Sequence, residues 1–309
     1  MAHRPQLSLT LVTFAAADPG GWGHLIARAE MADAAGVDRL AVSDHVAFGP
    51  SLDDYGDPAR GGIRGGHQPT GPDGHWLEPL TVISHLSART TRIRFGTNIL
   101  LAALRRPVVL AKTAATIDVL SGGRLDLGVG VGWQAAEYAA AGLSFADRGA
   151  QLDHSLSVCR TLWSGNDVDF SDERLAFERV WQEPKPGGGA VPIWVSGTTN
   201  PRAMRRLARF GSGWIPWGPD AADLPAGIAR MREAVAAHDR DPAGIGVVGS
   251  LPTVTLDDGT PDVTATVAAV PALVDAGVTD FRSNVRLGDD PAQAEQLAAL
   301  VAAFRDAAD

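Results

Sequence analysis

The strongest constraint on this chain is a rhythm in its 309 residues: a short apolar run, a loop, then a helical stretch, repeated about eight times. Short alternating or continuous apolar runs predict strands at 7–13, 39–43, 93–98, 124–128, 193–196, 213–216, 245–248 and 280–284. Helical patterning predicts helices at 22–35, 78–88, 107–121, 134–141, 146–164, 201–210, 221–239, 262–276 and 291–308. Strands that alternate with helices pair in parallel through helical crossovers. Eight such units close on themselves more readily than they lie open. The expected fold is therefore α/β, a (β/α)8 TIM barrel, with an open doubly wound sheet as the alternative. The whole of 1–309 is expected to form a single domain, with a long insertion loop at 46–75 and a small hairpin at 168–177.

Local punctuation agrees with these boundaries. Asn200-Pro201 reads as a helix N-cap followed by proline at the first helical position. Gly36 and Gly277 each close an Ala-rich helix before a strand. Pro271 falls inside the 262–276 pattern, so that helix is expected to kink or to start there. The 46–75 stretch is rich in Gly, Pro and Asp and far exceeds ordinary connections, which marks a lid or a binding loop.

Composition excludes several functions. With 36 acidic and 27 basic residues the net charge is −9, against a nucleic-acid partner, whose phosphates are held mostly by Lys and Arg. No apolar run reaches the roughly 18 residues of a membrane span. Residues 7–17 imitate a secretory signal core, but Ser8, Thr10 and Thr13 interrupt it and the alternation is that of a strand. A cytoplasmic enzyme is the expectation. The single cysteine, Cys159, lies between Leu156 and Leu162 on a helical face and reads as a buried, inert thiol. HxH, HExxH and CxxC spacings are absent, so no metal is expected, and without GxSxG there is no serine-hydrolase elbow.

In a barrel, chemistry sits on the loops that follow the strands. Asp44-His45 follows the second strand. The imidazole can move a proton near neutral pH, and Asp44 could orient it or bind a polar cofactor group; the plainer reading is a capped turn. Thr97, Asn98 and Ile99 follow the third strand and suit the edge of a planar heterocycle, or are an ordinary strand end. In LGVGVGWQAAE, Gly128, Gly130 and Gly132 alternate ahead of Trp133 and Glu137. These glycines allow close approach to a ligand, or simply tight strand packing. Their spacing misses a strict GxGxxG and lacks the GK[ST] of a phosphate loop. Ser196, Gly197 and Thr198 lead from the fifth strand into a helix N-terminus, a phosphate site or a capped turn. Phe14, Tyr55, Trp76, Trp133 and Trp217 crowd the expected mouth and favour a flat apolar pocket, with core packing as the competitor. Arg282 and Asn284 end the last strand and could hold a substrate anion, whereas Arg105-Arg106 reads as a solvated surface pair.

Taken together, VSDHV, RIRFGTNILL, KTAATIDVLSGGRLDLGVGVGW and PIWVSGTT resemble the bacterial luciferase-like superfamily, above all its actinobacterial branch of coenzyme F420-dependent oxidoreductases. The resemblance covers nearly the whole chain and is strongest over 77–164. It implies a barrel with luciferase-like insertions and an isoalloxazine-like ring in its mouth. It places Asp44 and His45 beside that ring, with His45 as the acid–base group, and a non-prolyl cis peptide at Asn98-Ile99 beneath it. By the same resemblance Gly130, Gly132 and Trp133 line the cofactor, Glu137 follows one turn on, and Ser196, Gly197 and Thr198 hold the phosphate. Some deazaflavin-dependent sugar-phosphate and alcohol dehydrogenases of the superfamily carry Glu or another polar residue near the position of Trp133, a departure that counts against a sugar-phosphate dehydrogenase. The implied function is hydride transfer between reduced coenzyme F420 and a small organic substrate. An FMN-dependent monooxygenase using O2 is the alternative. A non-catalytic flavin-binding protein and a metal-dependent isomerase or lyase are alternatives of other classes. The family commonly dimerises through its barrel helices, so a homodimer is compatible with the resemblance.

Overall fold

The computed structural model describes residues 4–60, 62–257, 260–285, 288 and 291–309. Every predicted strand is present: β1 Gln6–Thr10, β2 Arg39–Val42, β3 Arg94–Thr97, β4 Leu125–Val129, β5 Ile193–Gly197, β6 Gly213–Pro216, β7 Gly246–Leu251 and β8 Asp280–Ser283. Each pairs in parallel with its sequence neighbours, and β1 closes the ring against β8 through Gln6↔Asp280 and Leu9↔Ser283. The sheet is thus a closed (β/α)8 barrel. Around it run α1 His24–Ala35, α2 Pro79–Ser87, α3 Pro107–Ser121, α4 Ala135–Ala140, α5 Arg148–Ser164, α6 Pro201–Phe210, α7 Pro219–Ala222, α8 Leu224–Ala236, α9 Val263–Val267, α10 Val270–Ala276 and α11 Pro291–Ala308.

Two predicted helices are broken. The 221–239 pattern divides into α7 and α8 because Asp223 turns out of the helix and caps α8, accepting the Ala226 N–H. The 262–276 pattern divides into α9 and α10, with Pro271 in the first turn of α10, where its missing N–H forfeits no helical bond. The hairpin is present as Val168–Ser171 paired antiparallel with Ala176–Val180. No helix among the described residues is long and apolar enough to cross a membrane.

Side chains alternate across each strand. One set, including Leu7, Leu9, Leu40, Val42, Phe95, Leu125 and Leu127, packs into the core with the helices. The other set faces the barrel axis and is charged where barrels ordinarily stack Val, Ile and Leu. Arg39 Nε donates to Asp126 at 2.9 Å, and the same guanidinium pairs with Asp280. Ser8 Oγ donates to Asp280 at 2.5 Å, and Arg94 holds Asp126 at 2.8 Å. Burial alone would raise the pKa of Asp126, but Arg39 and Arg94 outweigh it and hold the carboxyl below its ordinary value. Trp194 lies 4.7 Å from the Arg39 guanidinium carbon. A Cβ on Gly213 would run into the Trp194 ring, so only glycine fits beside it. A void of about 10 Å³ bordered by Arg39, Thr97, Asp126, Trp194, Ile215 and Arg282 has room for roughly one water molecule.

Candidate active site

The loops after the strands gather His45 and four of the five predicted aromatic side chains, Phe14, Tyr55, Trp76 and Trp133, into one cluster. The chain leaving β1 forms a two-residue ribbon, Phe14–Ala15, antiparallel to His75–Trp76 at the far end of the long loop. Phe14 and Trp76 stack with centroids 4.0 Å apart. Trp76 meets His45 edge-on at 4.8 Å, and Phe48 lies 4.6 Å from His45. Trp133 lies 5.8 Å from His45 and 5.4 Å from Tyr55. The long loop is thereby folded over the mouth rather than into solvent. Trp217 Nε1 donates to the Gly62 carbonyl at 3.3 Å and ties the loop to the end of β6.

His45 is held by Glu137, which the sequence singled out as a site residue but did not pair with the histidine. Glu137, buried on α4, presents Oε1 3.1 Å from His45 Nδ1, and the same oxygen accepts the Val46 N–H at 2.7 Å. An ionised carboxylate only accepts, so Nδ1 carries the proton and Nε2 is the nitrogen left for another partner. The orienting carboxylate is therefore Glu137 and not Asp44. Asp44 is buried with both oxygens engaged elsewhere: Arg105 approaches at 2.6 and 3.1 Å, and the Leu101 N–H donates at 2.8 Å. Arg105 also reaches Glu78 at 2.7 Å. Burial opposes both charges, but Asp44 and then Glu78 outweigh it and raise the pKa of Arg105, while the Thr81 N–H and then Arg105 lower that of Glu78. Arg105, expected in solvent, is thus an internal clamp on the segment after β3. Glu78 also caps α2 by accepting the Thr81 N–H.

The Asn98–Ile99 peptide is cis. Its segment lies tightly against β4: Thr97 Oγ1 and the Leu100 N–H both donate to the Gly128 carbonyl at 2.7 Å. A Cβ on Gly128 would run into the Thr97 carbonyl oxygen, and one on Gly130 would fall 2.8 Å from Ile99 Cδ1. Gly132 takes φ +68° opposite Leu101. Close packing against 97–101 therefore accounts for all three glycines. Tyr138 then donates to the Val131 carbonyl at 2.7 Å and anchors the turn that carries Trp133.

Other predicted residues have duties away from this cluster. After β5, Asn200 Oδ1 accepts from the N–H groups of Arg202 and Ala203, the capped turn of the plainer reading. Asp220 accepts the Thr199 N–H at 2.7 Å and its hydroxyl, so these donors are not offered to an anion. Ser196 and Gly197 end β5, and Thr198 Oγ1 accepts from Asn200 Nδ2 at 3.0 Å. Asn284 is exposed and accepts the Thr253 N–H at 3.0 Å, bridging the exits of β7 and β8. Arg282 points into the barrel, where Ser8 Oγ is 3.4 Å and Asp280 3.8 Å away. Burial, and secondarily Arg39, lowers its pKa. Cys159 is buried and its thiol is pushed up to about 12 by desolvation. Among the described residues, no group of three or more His, Cys, Asp or Glu is placed to hold a metal.

A closed parallel barrel with an aromatic, histidine-bearing mouth defines a class of barrel proteins whose sites lie on the loops after the strands, and comparison with known proteins narrows it. The profile of the luciferase-like monooxygenases matches residues 7–304, and the chain belongs to that family. An uncharacterized protein of Mycobacterium tuberculosis is 30% identical over 274 residues, covering 85% of this chain and 86% of the relative. The F420-dependent glucose-6-phosphate dehydrogenase of the same organism is 31% identical over 231 residues, covering 72% and 62%. Among solved structures, the oxygenating constituent of 3,6-diketocamphane monooxygenase from Pseudomonas putida, in complex with FMN, superposes with a TM-score of 0.73. That structure is 15% identical and the match covers 98% of each chain, a likeness of fold.

Proposed function

We propose that this chain is an oxidoreductase that moves hydride between a bound reduced deazaflavin, coenzyme F420, and a small organic substrate in the barrel mouth. The observation that carries this reading is the aromatic mouth with His45 fixed by Glu137 at its centre. The mouth fits a flat ring with a polar rim. Aromatic side chains surround it, and two buried polar atoms there, Thr13 Oγ1 and Trp133 Nε1, have no hydrogen-bond partner among the described residues. The likeness to the F420-dependent relative favours a deazaflavin over FMN.

Phe14, Trp76, Trp133 and the Asn98–Ile99 segment would hold the ring. When bound in reduced form, the deazaflavin supplies the hydride. Reducing a carbonyl needs a proton as well, and oxidising an alcohol releases one. His45 Nε2 gives or takes that proton, while Glu137 keeps Nδ1 protonated and the imidazole in one orientation. Phe48, Tyr55 and Trp76 keep water from the transfer.

Anaerobic titration with F420 and with FMN, followed by tryptophan fluorescence, tests the reading. Saturable F420 binding, with turnover that needs no oxygen, is expected. Tight FMN binding with oxygen-dependent turnover would replace the deazaflavin by a flavin monooxygenase. Unchanged behaviour of His45→Ala would favour a non-catalytic flavin-binding protein.

A further inference from the structure

Trp133 is 6% exposed, yet its indole N–H has neither solvent nor an acceptor among the described residues. An indole nitrogen only donates, and a buried one ordinarily finds a partner. The residue is not free to turn elsewhere. Gly132 at φ +68° sets the chain direction before it, Tyr138 anchors the Val131 carbonyl, and Gln134 accepts the Gly49 N–H immediately after it. The indole is therefore held in the mouth with a donor that the folded chain does not use.

We propose that Trp133 Nε1–H donates a hydrogen bond to a carbonyl oxygen of the redox ring bound in the mouth. The assignment rests on the coenzyme reading above but not on the choice between coenzymes, because flavins and deazaflavins both carry carbonyl oxygens on their pyrimidine edge. Tyr55, from the long loop, is one of the rings lying against the indole. Trp133 is on this account a binding and positioning residue that supplies the ring with a donor.

Two measurements test this on the full chain. In spectra of protein with 15N-labelled indoles, Trp133→Phe identifies the Trp133 signal, by its loss, among the eight tryptophans. Adding F420, or FMN, is expected to move that signal downfield more than any other indole signal. Trp133→Phe keeps an aromatic ring without the donor, and its coenzyme Kd is expected to rise about 3- to 10-fold, the net worth of one hydrogen bond. If a coenzyme binds the wild-type chain and the Trp133 signal stays in place, the assignment is overturned while the coenzyme reading stands. Equal Kd values for a folded Trp133→Phe do the same. If neither coenzyme binds the wild-type chain, the coenzyme reading fails and takes the assignment with it. Should Trp133→Phe not fold, site-selective 15N labelling of Trp133 in the wild-type chain assigns the signal, and its shift decides.

Discussion

His45 Nδ1 and Glu137 Oε1 are 3.1 Å apart although 92 residues separate them in the chain. The pair joins the loop after β2 to the helix after β4, and the Val46 N–H shares the same oxygen. With Nδ1 held against Glu137, the imidazole presents Nε2 in one orientation.

His45→Ala is expected to lower kcat by about 10²-fold or more, with coenzyme binding retained. Glu137→Ala acts through the imidazole, so kcat falls and the His45 15N signals shift from a single Nδ1–H form toward a mixture of tautomers. Wild-type kcat together with wild-type histidine signals in Glu137→Ala would remove the positioning role.

Arg105→Ala leaves the Asp44 carboxylate buried with one amide donor and no counter-charge. Removing one partner of a buried ion pair costs about 3–5 kcal/mol, and urea denaturation should show a loss of that order. Arg105→Lys should recover only part of it, because an ammonium cannot reproduce the two-pronged contact. A loss below about 1 kcal/mol, as at a solvated surface pair, would contradict the clamp.

Gly128→Ala places a methyl against the Thr97 carbonyl oxygen, which belongs to the backbone of β3 and cannot rotate away. Overpacking of this kind costs about 3 kcal/mol or more. Gly142→Ala, at a glycine with φ +71° and no close neighbour, separates backbone preference from collision. Denaturation midpoints of the two variants should differ clearly, with Gly128→Ala the lower.

Asp33 accepts the N–H groups of Thr91, Arg92 and Ile93 at 2.8, 2.9 and 2.7 Å, joining α1 to the entry of β3. Burial alone would raise its pKa, but the three amides outweigh it and hold the carboxyl below its ordinary value. The folded pKa is thus the lower one. The contribution of Asp33 is full above the unfolded value and is lost as pH falls through the folded one. Asp33→Asn should therefore destabilise the chain near neutrality and flatten the acid limb of the stability curve below about pH 4. Thermal melts of both proteins between pH 2 and pH 7 provide the comparison.

Cys159 should not react with a thiol reagent in the native state, since its thiolate is disfavoured until pH nears about 12 and the sulfur is buried. Labelling is expected to follow global unfolding, with one thiol appearing per chain. Stoichiometric labelling faster than unfolding would show that α5 opens locally.

The eight strands, the Pro and Gly helix boundaries and the barrel itself were legible along the chain, because each depends on neighbours a few residues apart. Leu7 and Leu9 mark β1 by alternation alone, and Asn200 caps α6 as its sequence implies. The residues after the strands were legible as a set, since barrel topology brings every strand end to one rim. Their partners were not. Nothing near Glu137 announces His45, nothing near Arg105 announces Asp44, and the alternating glycines before Trp133 read as well for a ligand as for the Thr97–Leu101 segment that they in fact accommodate. Hydrogen bonds and ion pairs are fixed by distances between atoms that closure of the barrel sets, not by sequence spacing. The sequence by itself determined which elements form and in what order they close. Only the tertiary structure decided which carboxylate holds the histidine, which arginine is inside, and which buried indole N–H lacks a partner among the described residues.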